Sequence, residues 1–218
     1  MSIGTLARAV LGQKWFPLFG GWYRAVFVDL KKVVDCLPPL PAGSHVLDVG
    51  GGDGEMINMI LPRYPGVEIT MLDLSPRLGS LLSPESRKRV RLLASTSLRD
   101  YAQTEHRFPD LVLVSDVIHH VPVEDRCAFL SDLRLVLGGH ATTLVVKDLE
   151  PGHFRSILSL LADRYISGDR KVSLVSRDSV TALVKATFPS AEVRSTKLFD
   201  IDRPNYALVF TIDGLNCR

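Results

Sequence analysis

Beyond a proline-rich joint at Pro38 to Gly43, short apolar runs alternate with segments whose apolar residues recur every three or four positions. HVLDVG (45–50) reads as a strand, and Glu55 to Arg63 as a helix with Met56, Ile57, Ile60 and Leu61 on one face. VEITMLD (67–73) and RVRLLA (89–94) predict a second and a third strand. DLVLVSD (110–116) predicts a fourth, apolar almost throughout, as a strand covered on both faces is. Val123 to Leu137 predicts a helix stopped by Gly138 and Gly139, and HATTLVVKD (140–148) a fifth strand. Helical patterns return over His153 to Tyr165 and over Arg177 to Phe188, the latter behind a Ser176 cap. AEVRSTKLFD (191–200) and NYALVFTID (205–213) are two more strands, joined too closely for a crossover helix, so they pair antiparallel. This is the pattern of a doubly wound α/β fold, a seven-stranded, mostly parallel sheet with an antiparallel last strand. Residues 1–43 form an N-terminal helical cap or appendage to a core of residues 44–218, and residues 150–176 are an insertion near the substrate side.

Composition narrows this picture only a little. The chain has 218 residues, 46% hydrophobic and 23% charged, as a soluble globular domain does. A net charge of +2 gives no nucleic-acid footprint, and the short cluster at Arg87, Lys88, Arg89 and Arg91 reads as a solvated helix end. Cys36, Cys127 and Cys217 are odd in number and lack C-x-x-C spacing, which favours free thiols in a reducing compartment over disulfides or zinc. The opening residues lack a leader pattern and no run is long enough to span a membrane, so a cytoplasmic protein is expected.

The densest chemistry lies in VLDVGGGDGE (46–55), where four glycines fill five positions after an apolar run carrying Asp48. In a doubly wound sheet the first strand-to-helix turn usually lies at the ligand site, and glycine lets the backbone approach a ligand closely. The spacing is G-x-G-x-G, without the third glycine of a dinucleotide fingerprint or the lysine of a P-loop. Asp53 and Glu55 flank the turn and disfavour a pyrophosphate. A cationic, phosphate-free ligand fits better. The alternative is a structural turn, with Asp48 and Asp73 acting as caps.

An acid one residue before a G-x-G-x-G turn resembles motif I of the class I S-adenosylmethionine-dependent methyltransferases of small-molecule type. The resemblance continues through LDLS (72–75), SDVIHHV (115–121) and the antiparallel closing strands. It implies that Asp48 helps bind the amino acid end of S-adenosylmethionine and that Gly50, Gly52 and Gly54 let the backbone pass beneath it. It also implies that Asp73 accepts from the ribose hydroxyls. Leu74 and Ser115 fall in the same cofactor-binding stretches. Where the family often has an acid for the adenine amino group this chain has ASTSL (94–98), so Thr96 or Ser97 takes that place.

The reaction implied is in-line transfer of a methyl group from a sulfonium, leaving S-adenosylhomocysteine, with a base needed only when the acceptor arrives protonated. His119 and His120 beyond strand four, and His153 beyond strand five, are the candidate catalytic bases; Lys147 and Asp148 end strand five; a mechanism without a base stays open. The expected acceptor is a small, largely apolar metabolite of secondary metabolism, methylated at oxygen, or else at carbon or nitrogen. No metal cluster is visible. Trp15, Phe16, Phe19, Trp22, Tyr23 and Phe27 crowd into the segment before the core, which reads equally as an apolar lid over substrate and as a packing stripe. Weak contact of residues 15–27 with a membrane surface is a third reading. A homodimer is left open, and so is the alternative of a catalytically inactive protein that binds S-adenosylmethionine or S-adenosylhomocysteine as a partner or regulator.

Overall fold

The computed structural model describes residues 30–162, 171–199 and 204–214, so the aromatic segment 15–27, Tyr165 and Cys217 lie outside the described residues. Seven strands run β1 (His45–Val49), β2 (Glu68–Asp73), β3 (Val90–Ala94), β4 (Leu111–Ser115), β5 (Thr142–Leu149), β6 (Glu192–Leu198) and β7 (Asn205–Ile212). They stand side by side in the order β3-β2-β1-β4-β5-β7-β6. The first five are parallel, and β7 lies antiparallel to both β5 and β6. The expected sheet is therefore present, with every strand end within two residues of its predicted place.

The period-two alternation of side chains sorts the sheet into two apolar layers. Leu47, Val49, Val112, Val114, Leu144 and Val146 face one core, shared with Leu98, Leu130, Leu133 and Val180. These come from α4 (Leu98–Thr104), α5 (Arg126–Leu137) and α7 (Arg177–Thr187). Val46, Ile69, Met71, Leu111, Leu113 and Val145 face the other, shared with Val33, Ile57 and Ile60 of α1 (Leu30–Val34) and α2 (Glu55–Arg63). Helices thus cover both faces, as parallel strands require. The sheet order reverses between β1 and β4, and the carboxyl ends of those strands open a crevice there.

Three local departures from the sequence reading have physical causes. Helix α4 escaped detection because ASTSL was read as a ligand loop; Ser97 and Asp100 in fact form a capping box that starts it, with Leu98 and Tyr101 buried. The helix expected from Val123 begins as a 3-10 turn, Val123–Asp125, and becomes α-helical at Arg126. The helix expected from His153 is α6 (Phe154–Ala162). A short α3 (Pro84–Arg87) ends at the basic cluster, whose arginines reach Gly79 and Pro65 carbonyls and Glu105. Among the described residues no helix is long and apolar enough to cross a membrane.

Gly54 precedes α2 with φ of 83°, and a Cβ there would stand 2.7 Å from Leu82 Cγ. Gly54→Ala is expected to lose about 2 kcal/mol, combining left-handed strain with the displaced Leu82. That is a fall in Tm of about 4–8 °C, readable by thermal unfolding; an unchanged Tm would mean the turn relaxes freely.

Candidate functional site

The turn after β1 is held by hydrogen bonds that leave its outer side to a ligand. Gly50 and Gly51 both donate their N–H to Leu72 O, at 2.8 and 3.2 Å, and Gly52 donates to Asp73 Oδ2 at 3.0 Å. Each glycine excludes a side chain for its own reason. A Cβ on Gly50 would meet Val117 at 2.5 Å, and one on Gly51 would stand 2.7 Å from both Asp48 Oδ2 and Met71 Cε. Gly52, with φ of 53°, has no non-neighbouring atom closer than 3.8 Å to its missing Cβ and faces open space. The sequence reading named Gly50, Gly52 and Gly54 and passed over Gly51. Gly50, Gly51 and Gly52 line the cavity, whereas Gly54 turns toward Leu82 and does not.

That cavity, about 860 Å³, lies at the crevice between β1 and β4. Asp48 lines it but is only 4% exposed, and its carboxyl is pushed up to about 7, first by burial and then by the neighbouring Asp73 and Asp53. Asp73 ends β2, and its Oδ1 accepts the Ser75 N–H at 2.7 Å while Oδ2 holds Gly52. A carboxylate offers about four acceptor sites, so lone pairs remain for a diol. Leu74, 75% exposed, stands beside it on the wall with Leu98. Thr96 and Ser97 also line the cavity, yet their hydroxyls are engaged: Thr96 donates to Ala94 O at 3.1 Å, and Ser97 belongs to the cap of α4. Ser115, at the end of β4, completes this side. A cofactor with a zwitterionic amino acid end, a sulfonium and a ribose suits these residues, because the bare backbone admits it closely and acids can meet its ammonium and sulfonium. Asp48 and Gly50 to Gly52 would hold the amino acid end, and Asp73 the ribose.

The three candidate histidines separate clearly. His119 is 3% exposed; its Nδ1 lies 2.6 Å from Asp148 Oδ1, and its backbone N–H donates to Asp148 Oδ2 at 3.2 Å. Burial pushes the Asp148 carboxyl up, but the His119 ring, the Leu149 amide and Lys147 more than reverse this, so it stays below the usual carboxylate range. His120 is exposed on the same 3-10 turn (Ile118–His120) and lines the cavity, its ring centroid 4.2 Å from that of His119. His153 is not brought to the cavity: its Nδ1 accepts the Arg155 N–H at 3.2 Å at the start of α6. The return of the chain after α6 buttresses the histidine turn. Ser173 donates its N–H to His119 O at 2.9 Å, and buried Arg126 donates to both Val121 O and Ser173 O.

Asp116 and Lys147 form a pair that sequence reasoning left without a role. Asp116 takes a left-handed backbone, φ 58°, and lines the cavity. Lys147, wholly buried, donates from Nζ to both its oxygens at 2.6 Å. The signal in the sequence was a lysine inside an otherwise apolar strand, which needs a partner. Asp116, His119 and Asp148 place potential metal-ligand atoms within 4.8 Å of one another. In this arrangement the donors serve Lys147 and the His119–Asp148 pair, and a metal ion would have to displace a buried ammonium.

Comparison with known proteins agrees with this construction. A family model described as a methyltransferase domain matches residues 23–187. Myricetin 3'-O-methyltransferase 4 of Solanum lycopersicum is 23% identical over 124 residues, 57% of this chain and 32% of that protein. An O-methyltransferase family 2 protein of Planctomyces limnophilus, solved in complex with apigenin, superposes with a TM-score of 0.66 at 16% identity, over 88% of this chain and 58% of the other. A SAM-dependent methyltransferase of Archaeoglobus fulgidus gives a TM-score of 0.63 at 14% identity, over 88% of this chain and 99% of the other. The structural likenesses establish the fold, and the chain spans about a third of the tomato protein's length.

The buried Asp48 carries a pH signature. Its carboxyl titrates at about 7 in the folded chain against about 4 when unfolded, so the folded state holds the extra proton between those values. Stability from this group is complete below about 4, declines as pH rises, and is lowest above about 7. Asp48→Asn is therefore expected to raise the Tm of the ligand-free protein by several degrees at pH 8, the gain shrinking toward pH 5. Thermal unfolding across that range checks it; a gain that does not vary with pH would remove Asp48 as the titrating group.

Proposed function

The chain belongs to the methyltransferase-domain family, of the class I kind that uses S-adenosylmethionine, and on that premise we propose that it methylates a small, largely apolar metabolite at oxygen. The observation that carries this reading is a single cavity holding both the acid-flanked glycine turn and an exposed His120 next to the His119–Asp148 pair. S-adenosylmethionine supplies a methyl group on a sulfonium and leaves as neutral S-adenosylhomocysteine. The protein's task is alignment, exclusion of water and removal of one proton. Asp48, Asp73 and the backbone of Gly50 to Gly52 fix the donor. Leu30, Met56 and Leu149 supply apolar wall for the acceptor.

An oxygen acceptor fits because a hydroxyl must lose its proton as the new bond forms, and the exposed imidazole of His120 on the cavity wall would take it. His119 also lines the cavity and is oriented by Asp148, but with its ring 3% exposed it offers an acceptor less access than His120. Asp148 instead fixes His119, and His119 supports the ring of His120. The O-methyl transfer named for the tomato and Planctomyces proteins points the same way.

The test begins with calorimetric titration of S-adenosylmethionine and S-adenosylhomocysteine, followed by a screen of apolar phenols and hydroxylated metabolites for S-adenosylhomocysteine release. Binding of both with turnover of a hydroxylated acceptor is expected. Binding without turnover of any acceptor would favour the inactive binding protein, and absence of binding would sink the cofactor reading. His120→Ala is expected to lower turnover about 100-fold or more with cofactor affinity and Tm retained. His119→Ala is expected to lose about 3 kcal/mol of stability, because buried Asp148 would lose its imidazole partner and keep only the backbone amides of residues 119 and 149. Full turnover in His120→Ala would remove it as the base.

A further inference from the structure

The ion pair of Lys147 and Asp116 is not used in the methyl transfer just described, yet it is built at some cost. A fully buried ammonium must be desolvated, and a non-glycine residue must hold a left-handed backbone. Asp116 and Ser95 are the two non-glycine residues with positive φ among those described. Backbone and side chain act together at this point. The Asp116 N–H donates to Lys147 O at 2.9 Å, one register step beyond the pairing of Ser115 with Lys147, and both carboxylate oxygens receive Lys147 Nζ from below. The outcome is a carboxylate fixed in place at the carboxyl end of β4, 37% exposed, on the wall that also carries His120 and Leu149.

A pair serving stability alone would not need an open face. Apolar residues of similar volume fill a strand interior as well or better. A carboxylate whose two oxygens each carry one bond from beneath retains acceptor capacity on its cavity side, and pure acceptors recognise donors. We propose that Asp116 is an acceptor-binding residue that takes a hydrogen bond from a second donor group on the substrate, a hydroxyl or an amine near the methylated oxygen, and that Lys147 is its positioning residue. This rests on the methyl-transfer reading above and narrows its substrate class: an acceptor with one donor besides the reacting hydroxyl is favoured over the same skeleton without it. A site built to receive such a bond rejects the analogue that lacks the donor, because the remaining acceptor capacity of the carboxylate is then desolvated and unmatched, with only Lys147 bonded to it.

The test uses the full chain loaded with S-adenosylhomocysteine, and reads binding of catechol, 2-aminophenol and phenol at equal concentration by saturation-transfer NMR. Wild type is expected to bind catechol and 2-aminophenol about tenfold more tightly than phenol. Asp116→Asn and Lys147→Met each break the pair and are expected to lower Tm. The double variant Asp116→Asn/Lys147→Met removes both charges and recovers stability, but it is expected to bind the three probes within about twofold of one another. Cofactor affinity should stay within about threefold of wild type in the double variant, since neither residue belongs to the glycine turn. Catechol giving no more signal than phenol on wild type overturns the proposal, as does a donor preference that survives in the double variant. Failure of S-adenosylhomocysteine to bind wild type would instead strike the cofactor reading on which the proposal stands, so the two failures are told apart.

Discussion

The hydrogen bond from the Gly52 amide to the Asp73 carboxylate joins the turn after β1 to the end of β2, and the mouth of the cavity takes its shape from it. The same carboxylate caps Ser75, so one acid organises two loops on adjacent strands. Beneath, the Asp48 carboxylate comes within 2.7 Å of where a Cβ on Gly51 would stand, which keeps this acid close under bare backbone. Burial first, and then Asp73 and Asp53, raise the cost of ionising Asp48, so a positive group brought to this turn would relieve a tension already present in the fold.

The remainder of the site follows from strand order. Because β4 lies next to both β1 and β5, the turn leaving β4 is brought beside the glycine turn and above the end of β5. Residues far apart in the chain become partners: Asp116 with Lys147, and His119 with Asp148. Successive residues at the end of β5 point to opposite faces, so Lys147 and Asp148 serve two different groups of the same turn.

The sheet, its two antiparallel closing strands and the glycine turn were legible from local pattern, because period-two alternation and an acid followed by spaced glycines are short-range signals. What each residue does there was less legible. Gly54 looked like part of the ligand cradle, yet Leu82, far along the chain, is what forbids a side chain. Ser97 looked like a base contact, although Ser97 and Asp100 spaced three apart spell a helix start. Two adjacent histidines carry no mark of which is buried; the partner that decides it, Asp148, lies on another strand. His153 shared the correct sheet edge and still faces its own helix start. Asp116 went without a role since its meaning depends on a lysine thirty-one residues away.

The strap formed by Ser173 and Arg126 grips the main chain on both sides of His120, at His119 O and Val121 O. Ser173 takes part through its own N–H and carbonyl, so what is held there is the path of the chain and not one side chain. Lengthening or shortening the chain between β5 and α7 would therefore disturb the seat of both histidines, which makes position 173 the natural suture for any segment exchange in this scaffold.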